Sequence, residues 1–186
     1  MNAPFSPLTP PHRLKAADVM LLVENGLIDP AAKFELMDGA VIHVSPKGRH
    51  HEIMRERIEL WLDQAWRKPF NVLREHTLTL DTGTLVEPDF LLYDAARRIA
   101  DAPLAGADIR LVIEVADSSW RYDVEAKAPK YARFGVAEYW VVHAMRPNMH
   151  VFRTPCADGY ASVADIGADQ AVAPQCAPDA VLSRTG

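Results

Sequence analysis

Cysteine is scarce in this chain. Cys156 and Cys176 are the only two, 20 residues apart in the C-terminal quarter of 186 residues. They form neither a disulfide framework nor a zinc-ligand spacing, so both read as free thiols. Long apolar runs are missing as well: none approaches the roughly 20 residues that a membrane-spanning helix needs. The opening Met1-Asn2-Ala3-Pro4-Phe5-Ser6-Pro7 lacks the basic and then apolar segments of a secretory signal, and a cytoplasmic location is expected. Nor is there a surplus of positive charge. Lys and Arg number 20 against 25 Asp and Glu, a net −5. That argues against a protein that coats nucleic acid indiscriminately, because phosphate contacts need clustered cations; it leaves a local basic surface open.

What remains is ordinary globular composition, 49% hydrophobic and 24% charged. We expect one domain over residues 12–168, preceded by a flexible arm, 1–11, that carries four prolines. An Ala- and Pro-rich tail, 169–186, offers little to bury.

The segment Ile109-Arg110-Leu111-Val112-Ile113-Glu114-Val115-Ala116-Asp117 is apolar on both faces, the pattern of a strand inside a sheet. Glu114 interrupts it. A carboxylate there costs several kcal/mol unless a cation, a metal or hydrogen bonds compensate it, so chemistry is expected around Glu114. A second carboxylate, Asp89, begins the apolar run of a strand over 85–93, just after Pro88 removes a ladder donor. Beyond the 109–117 strand, Asp117-Ser118-Ser119 opens a helix on which Asp123, Lys127, Tyr131 and Phe134 share a face. Pro129 is expected in or near its first turn and Gly135 at its end. Glu138–His143 is the next strand, making a parallel crossover, and 149–153 with 160–166 reads as a closing hairpin.

Upstream, a first helix is expected to bury Leu14, Ala17, Leu21 and Leu22 and to stop at Gly26. Phe34–Val44 reads as a hairpin around Asp38-Gly39. On it, Glu35 points away from Phe34 and Leu36, as either a solvent-facing carboxylate or a member of a site. A second helix over 50–66 presents Ile53, Ile58, Trp61, Leu62 and Ala65, and 71–80 alternates as a strand. His51-Glu52-Ile53-Met54-Arg55 begins like a zinc-protease helix but has Arg where the second His is required, which excludes that reading. His50 and His51 then read as a polar helix start or as catalytic groups.

The ordered set Glu35, Pro88-Asp89, Glu114-Val115, Asp123, Lys127, Tyr131, Gly135 and Tyr139-Trp140 resembles the bacterial "putative restriction endonuclease" family of the Uma type, within the PD-(D/E)XK nuclease superfamily. The resemblance covers roughly residues 14–165. Its most specific parts are Val112–Ser119 and Tyr131–Val136, and Phe34–Gly39 matches the family's N-terminal signature. It implies an α/β fold with a restriction-endonuclease-like mixed β-sheet flanked by helices. Asp89 and Glu114 would stand on neighbouring strands and hold Mg²⁺ or Mn²⁺, with the Val115 carbonyl as a third ligand and Glu35 as a further metal or water ligand. Neighbouring strands lie about 4.8 Å apart, so two facing carboxylates can share one cation, and an all-oxygen set selects these ions over zinc.

One departure is informative. The lysine expected two residues after the acid is replaced by Ala116. The family is thought to supply it from the following helix, where Lys127 matches; otherwise Lys127 is an i,i+4 partner of Asp123. His51 matches a position where the family often has His, whereas His143 stands where relatives commonly have Asp, and its role is open. The implied function is a Mg²⁺-dependent endonuclease acting on DNA, with a homodimer as one open oligomeric state. A catalytically silent nucleic-acid- or protein-binding module is the alternative; a glycosidase-like acid pair lacks an aromatic sugar platform. DNA would be met by Lys47, Arg49, Arg55, Arg121, Lys130 and Arg133. With Glu35, Asp89 and Glu114 around one cation site, repulsion is expected to strain the metal-free fold.

Overall fold

The computed structural model describes residues 13–183 other than 30, 45 and 66–69. The arm expected over 1–11 and the helix end expected at Trp66 therefore lie outside the described residues. The chain divides into two compact units, Met1–Ser45 with Thr79–Val86 and Pro46–Leu78 with Glu87–Gly186.

The smaller unit is built on a four-stranded sheet in the order β2-β1-β5-β4, formed by β1 (Phe34–Met37), β2 (Ala40–His43), β4 (Leu78–Asp81) and β5 (Thr84–Val86). Its hairpin turn is the one Asp38-Gly39 predicts: both residues have positive φ, 50° and 79°, the primed-turn geometry that matches strand twist. Helix α1 (Ala16–Glu24) packs Ala16 and Val19 with Leu36 and Leu85. Leu21, expected inside, is 55% exposed. The buried stripe is only Ala16 and Val19, one turn apart, so the core-facing side of α1 is rotated from the one its leucines suggest.

The larger unit carries a six-stranded mixed sheet in the order β10-β9-β8-β7-β6-β3. Its strands are β3 (Phe70–Arg74), β6 (Phe90–Asp94), β7 (Ile109–Ala116), β8 (Glu138–His143), β9 (Met149–Cys156) and β10 (Gly159–Ile166). β7 and β8 pair in parallel, as the intervening helix predicts, and the other neighbours are antiparallel. Two expected strands each split in two. The 71–80 run breaks at Glu75, whose φ is +48°, into β3 and β4. The 85–93 run breaks at Pro88 into β5 and β6, because proline cannot donate to a ladder. In each case alternation persists across a change of sheet, which periodicity alone does not register.

Helix α2 (Arg49–Ala65) packs on one face of this sheet through Met54, Ile58, Trp61 and Leu62. Its buried stripe also takes in His51 and leaves Ile53, expected inside, 41% exposed. The tail is a second correction. Val172, Ala180 and Leu182 join the core beside Trp61, and Val172 and Leu182 exchange backbone hydrogen bonds at 3.1 and 2.7 Å. The chain past 169 therefore covers the apolar end of α2.

Glu138 is fully buried on β8 yet fully engaged. It accepts from Trp140 Nε1 at 2.7 Å, Arg153 Nε at 2.8 Å and the Gln175 N–H at 2.7 Å. Gly106 begins a 3₁₀ turn, Gly106–Asp108, pressed against the end of the helix that precedes β8. A Cβ there would lie 1.7 Å from the Phe134 carbonyl oxygen. Gly106→Ala is expected to cost about 3 kcal/mol, the upper end of ordinary overpacking. Urea unfolding measures this, and a loss below about 1 kcal/mol would show that the turn simply shifts.

Candidate active site

The β6–β7 ladder pairs Leu92 with Leu111, Leu91 with Val112 and Phe90 with Ile113. Continued by one residue, the same register sets Asp89 opposite Glu114. Opposed residues of antiparallel strands share a face. Phe90, Leu92, Ile113 and Val115 belong to the α2-side core, so alternation sends Glu114 towards the other face, while Asp89, just before β6, also meets His51 of α2. On the face that Glu114 takes lies the helix that follows β7. It runs through α3 (Trp120–Tyr122), a π-helical turn (Asp123–Lys127) and α4 (Ala128–Phe134).

The π turn accounts for Pro129, which falls in the first turn of α4, directly after the π turn. In a regular helix its ring would meet the carbonyl four residues back; a wider turn before it relieves that clash. The same widening keeps Asp123 and Lys127 inward together, and both are buried. Lys127 Nζ lies 3.0 Å from Glu114 Oε1 and 3.2 Å from Asp123 Oδ1. Tyr131, one turn on, donates its hydroxyl to Glu114 Oε1 at 3.1 Å. The Asp89 N–H reaches Glu114 Oε2 at 3.4 Å. The two readings of Lys127, site cation or partner of Asp123, thus describe one ammonium held between two carboxylates.

Asp89 is compensated from the opposite side. Its Oδ1 accepts from Lys47 Nζ at 2.7 Å, and its Oδ2 from the Val115 N–H at 2.8 Å, with His51 Nε2 at 3.3 Å. Burial pushes its pKa up, but the His51 hydrogen bond and the Lys47 charge outweigh burial and bring it from 3.8 to about 2. Asp89 is therefore ionised at neutral pH. Lys47 also pairs with Glu75. Burial pulls its pKa down, but Asp89 and Glu75 more than restore it, and the net shift is upward.

These contacts correct two expectations. Lys47, expected on a DNA-facing surface, spends its charge on Asp89 and Glu75. Arg55 also pairs with Glu52 and Glu59, and Arg121, 85% exposed, with Glu125 at the surface, contacts too weak to take either off a DNA-facing surface. The expected repulsion between Asp89 and Glu114 is relieved as well, since each has its own ammonium, Lys47 for one and Lys127 for the other. Glu35 belongs to the smaller unit, where it is buried on β1 and not solvent-facing. His143 accepts the Met145 and Arg146 N–H groups on Nδ1 at 3.1 and 3.2 Å, which shapes the turn after β8. A cavity of about 550 Å³ in the larger unit, lined by Met54, Ile58, Trp61, Met145, Pro147 and Leu182 among others, contains none of the carboxylates. The buried charged groups converge instead at Asp89 and Glu114.

Among the described residues no group of three or more His, Cys, Asp or Glu side chains surrounds a common cation position. The donors at hand are two opposed, buried carboxylates and the backbone of Val115, a hard all-oxygen set that suits Mg²⁺ or Mn²⁺.

The sequence profile of the Uma2 family, described as "Putative restriction endonuclease", matches residues 20–184. The chain belongs to the Uma2 family. This Uma2 chain is also similar to a solved protein of Anabaena variabilis described as "a putative nuclease belonging to DUF820". The two are 16% identical with a TM-score of 0.67, over 92% of this chain and 95% of that one. At such identity the likeness is one of fold, here a mixed α/β nuclease fold. No curated protein matches the chain.

Two neighbours of the site, Lys47 and Glu75, escaped sequence reasoning as contributors, whereas His51 and Tyr131 were named by it. His51 left a signal: it stands three residues before Met54 and seven before Ile58, on the buried stripe. Tyr131 left one too, four residues after Lys127. Lys47 left none, because it lies in an irregular segment, and Glu75 stands where the alternating 71–80 run breaks, so the period misplaces it.

Proposed function

We propose that this Uma2 protein is a Mg²⁺-dependent endonuclease that hydrolyses phosphodiester bonds in DNA. The observation that supports it most is the opposition of Asp89 and Glu114 at the end of the β6–β7 ladder, with Lys127 seated on Glu114. Asp89, Glu114 and the Val115 carbonyl would hold the ion. A strand residue turns its N–H and C=O to the same side, and the Val115 N–H is the one that Asp89 accepts. When bound, such an ion polarises a phosphoryl oxygen and lowers the pKa of water.

The chain's own groups do the rest. Val115 and His51 orient Asp89, and the low pKa of that carboxylate keeps it charged where the enzyme would work. Lys127, fixed between Asp123 and Glu114, supplies a preorganised positive charge for the phosphoryl oxygens. The family's description as a restriction endonuclease favours DNA over RNA, and the cytoplasm is the compartment this reading implies; among the described residues no helix is long and apolar enough to cross a membrane.

The test is nicking of supercoiled plasmid with Mg²⁺, Mn²⁺ or chelator, beside an RNA of matched length. We expect cleavage of DNA in both metals and none in chelator. A folded protein that binds DNA but never cuts it in either metal would be the silent binding module instead.

A further inference from the structure

We infer that Lys47 is a tethered cation that competes with the divalent ion for Asp89 and so sets the metal concentration at which the site loads. This rests on the nuclease reading above. One ammonium lies against two carboxylates, 2.7 Å from Asp89 Oδ1 and bonded also to Glu75. That is the oxygen-lined setting a hard cation takes. The other Asp89 oxygen already accepts from the Val115 N–H and His51. Oδ1 is therefore the oxygen an incoming ion must share with, or take from, Lys47.

The backbone makes this arrangement a seat. The Glu75 N–H bonds the Asp89 carbonyl at 3.3 Å, which ties the two acids together. Glu75 itself has φ +48°, a conformation side chains with a Cβ seldom adopt, held where the chain leaves β3. Lys47 is free to leave in a way that Lys127 is not. Its side chain is 27% exposed on the irregular stretch before α2, whereas that of Lys127 is 7% exposed and fixed on a helix between two acids. The site thus holds one permanent ammonium and one displaceable one. Without metal, Lys47 keeps Asp89 from repelling Glu114. With metal, it must yield, which raises the apparent dissociation constant by the reciprocal of the fraction of molecules in which it is unseated.

Isothermal titration of Mn²⁺ into the full chain without DNA tests this. Lys47→Met and Lys47→Gln are expected to tighten binding about fivefold to thirtyfold, and Lys47→Arg to leave it near the wild-type value. Glu75→Gln, which loosens the seat, should tighten it by less. Asp89→Asn should abolish it. If wild type binds Mn²⁺ in an Asp89-dependent way and the charge-free Lys47 variants bind no tighter, the inference fails and the nuclease reading stands. If neither wild type nor Lys47→Met binds Mn²⁺ through Asp89, both fail. Weaker binding by Glu75→Gln would make Glu75 a ligand and overturn its role as the seat.

Discussion

Asp89→Asn and Glu114→Gln are each expected to lower Mg²⁺-dependent plasmid cleavage by about a thousandfold or more, at or beyond the upper end of what one lost electrostatic contact costs. Both substitutions keep volume and remove one negative charge from a site where two carboxylates face each other. The measurement is the initial nicking rate at equal protein, with a chelator blank and a near-ultraviolet circular dichroism spectrum for each variant. Either variant cutting at the wild-type rate in its folded form would move the site elsewhere. Glu114→Gln also tests the electrostatics. Uncompensated repulsion would make the variant more stable than wild type in chelator. Because Lys127 and Tyr131 both donate to Glu114, we expect it to be less stable instead.

Lys127→Met should be the most damaging single change to stability in the site. It leaves Glu114 and Asp123, both buried, without their shared ammonium. Removing one member of such a buried set costs about 3 kcal/mol or more, because the remaining charges stay out of water unpaired. For a chain of this length that is roughly a 6–12 °C fall in Tm. Tryptophan fluorescence reads it cleanly, since Trp61, Trp120 and Trp140 belong to the larger unit. Cleavage at a temperature where the variant is folded should fall at least about a hundredfold. A stable Lys127→Met that still cuts would reduce Lys127 to an ordinary partner of Asp123.

Much of this was legible before any coordinates. Glu114 announced itself as the one charge in a strand apolar on both faces, and such a residue must have compensation near it whatever the fold. Asp38-Gly39 specified its turn because few residues tolerate positive φ. Lys127 was reachable from its spacing to Asp123 and Tyr131, for residues three and four apart share a helix face. Even the π turn had a trace in Pro129, which a regular helix at that depth would not accommodate.

The sequence by itself therefore determined the elements with a strong local rule: the central strand, the first hairpin, the crossover helix and the family to which they belong. Only the tertiary structure decided which sheet each half of the 71–80 and 85–93 runs joins, because alternation is a property of one strand and carries no record of its neighbours. It alone decided that α2 turns His51 inward and Ile53 outward, since one apolar residue is outweighed by the packing of a whole stripe. It alone brought Lys47 and Glu75 to Asp89. Those two lie 28 residues apart, one in a segment without period and the other at the break of an alternating run, and an ion pair between such positions is a consequence of where the chain has already been carried by its core.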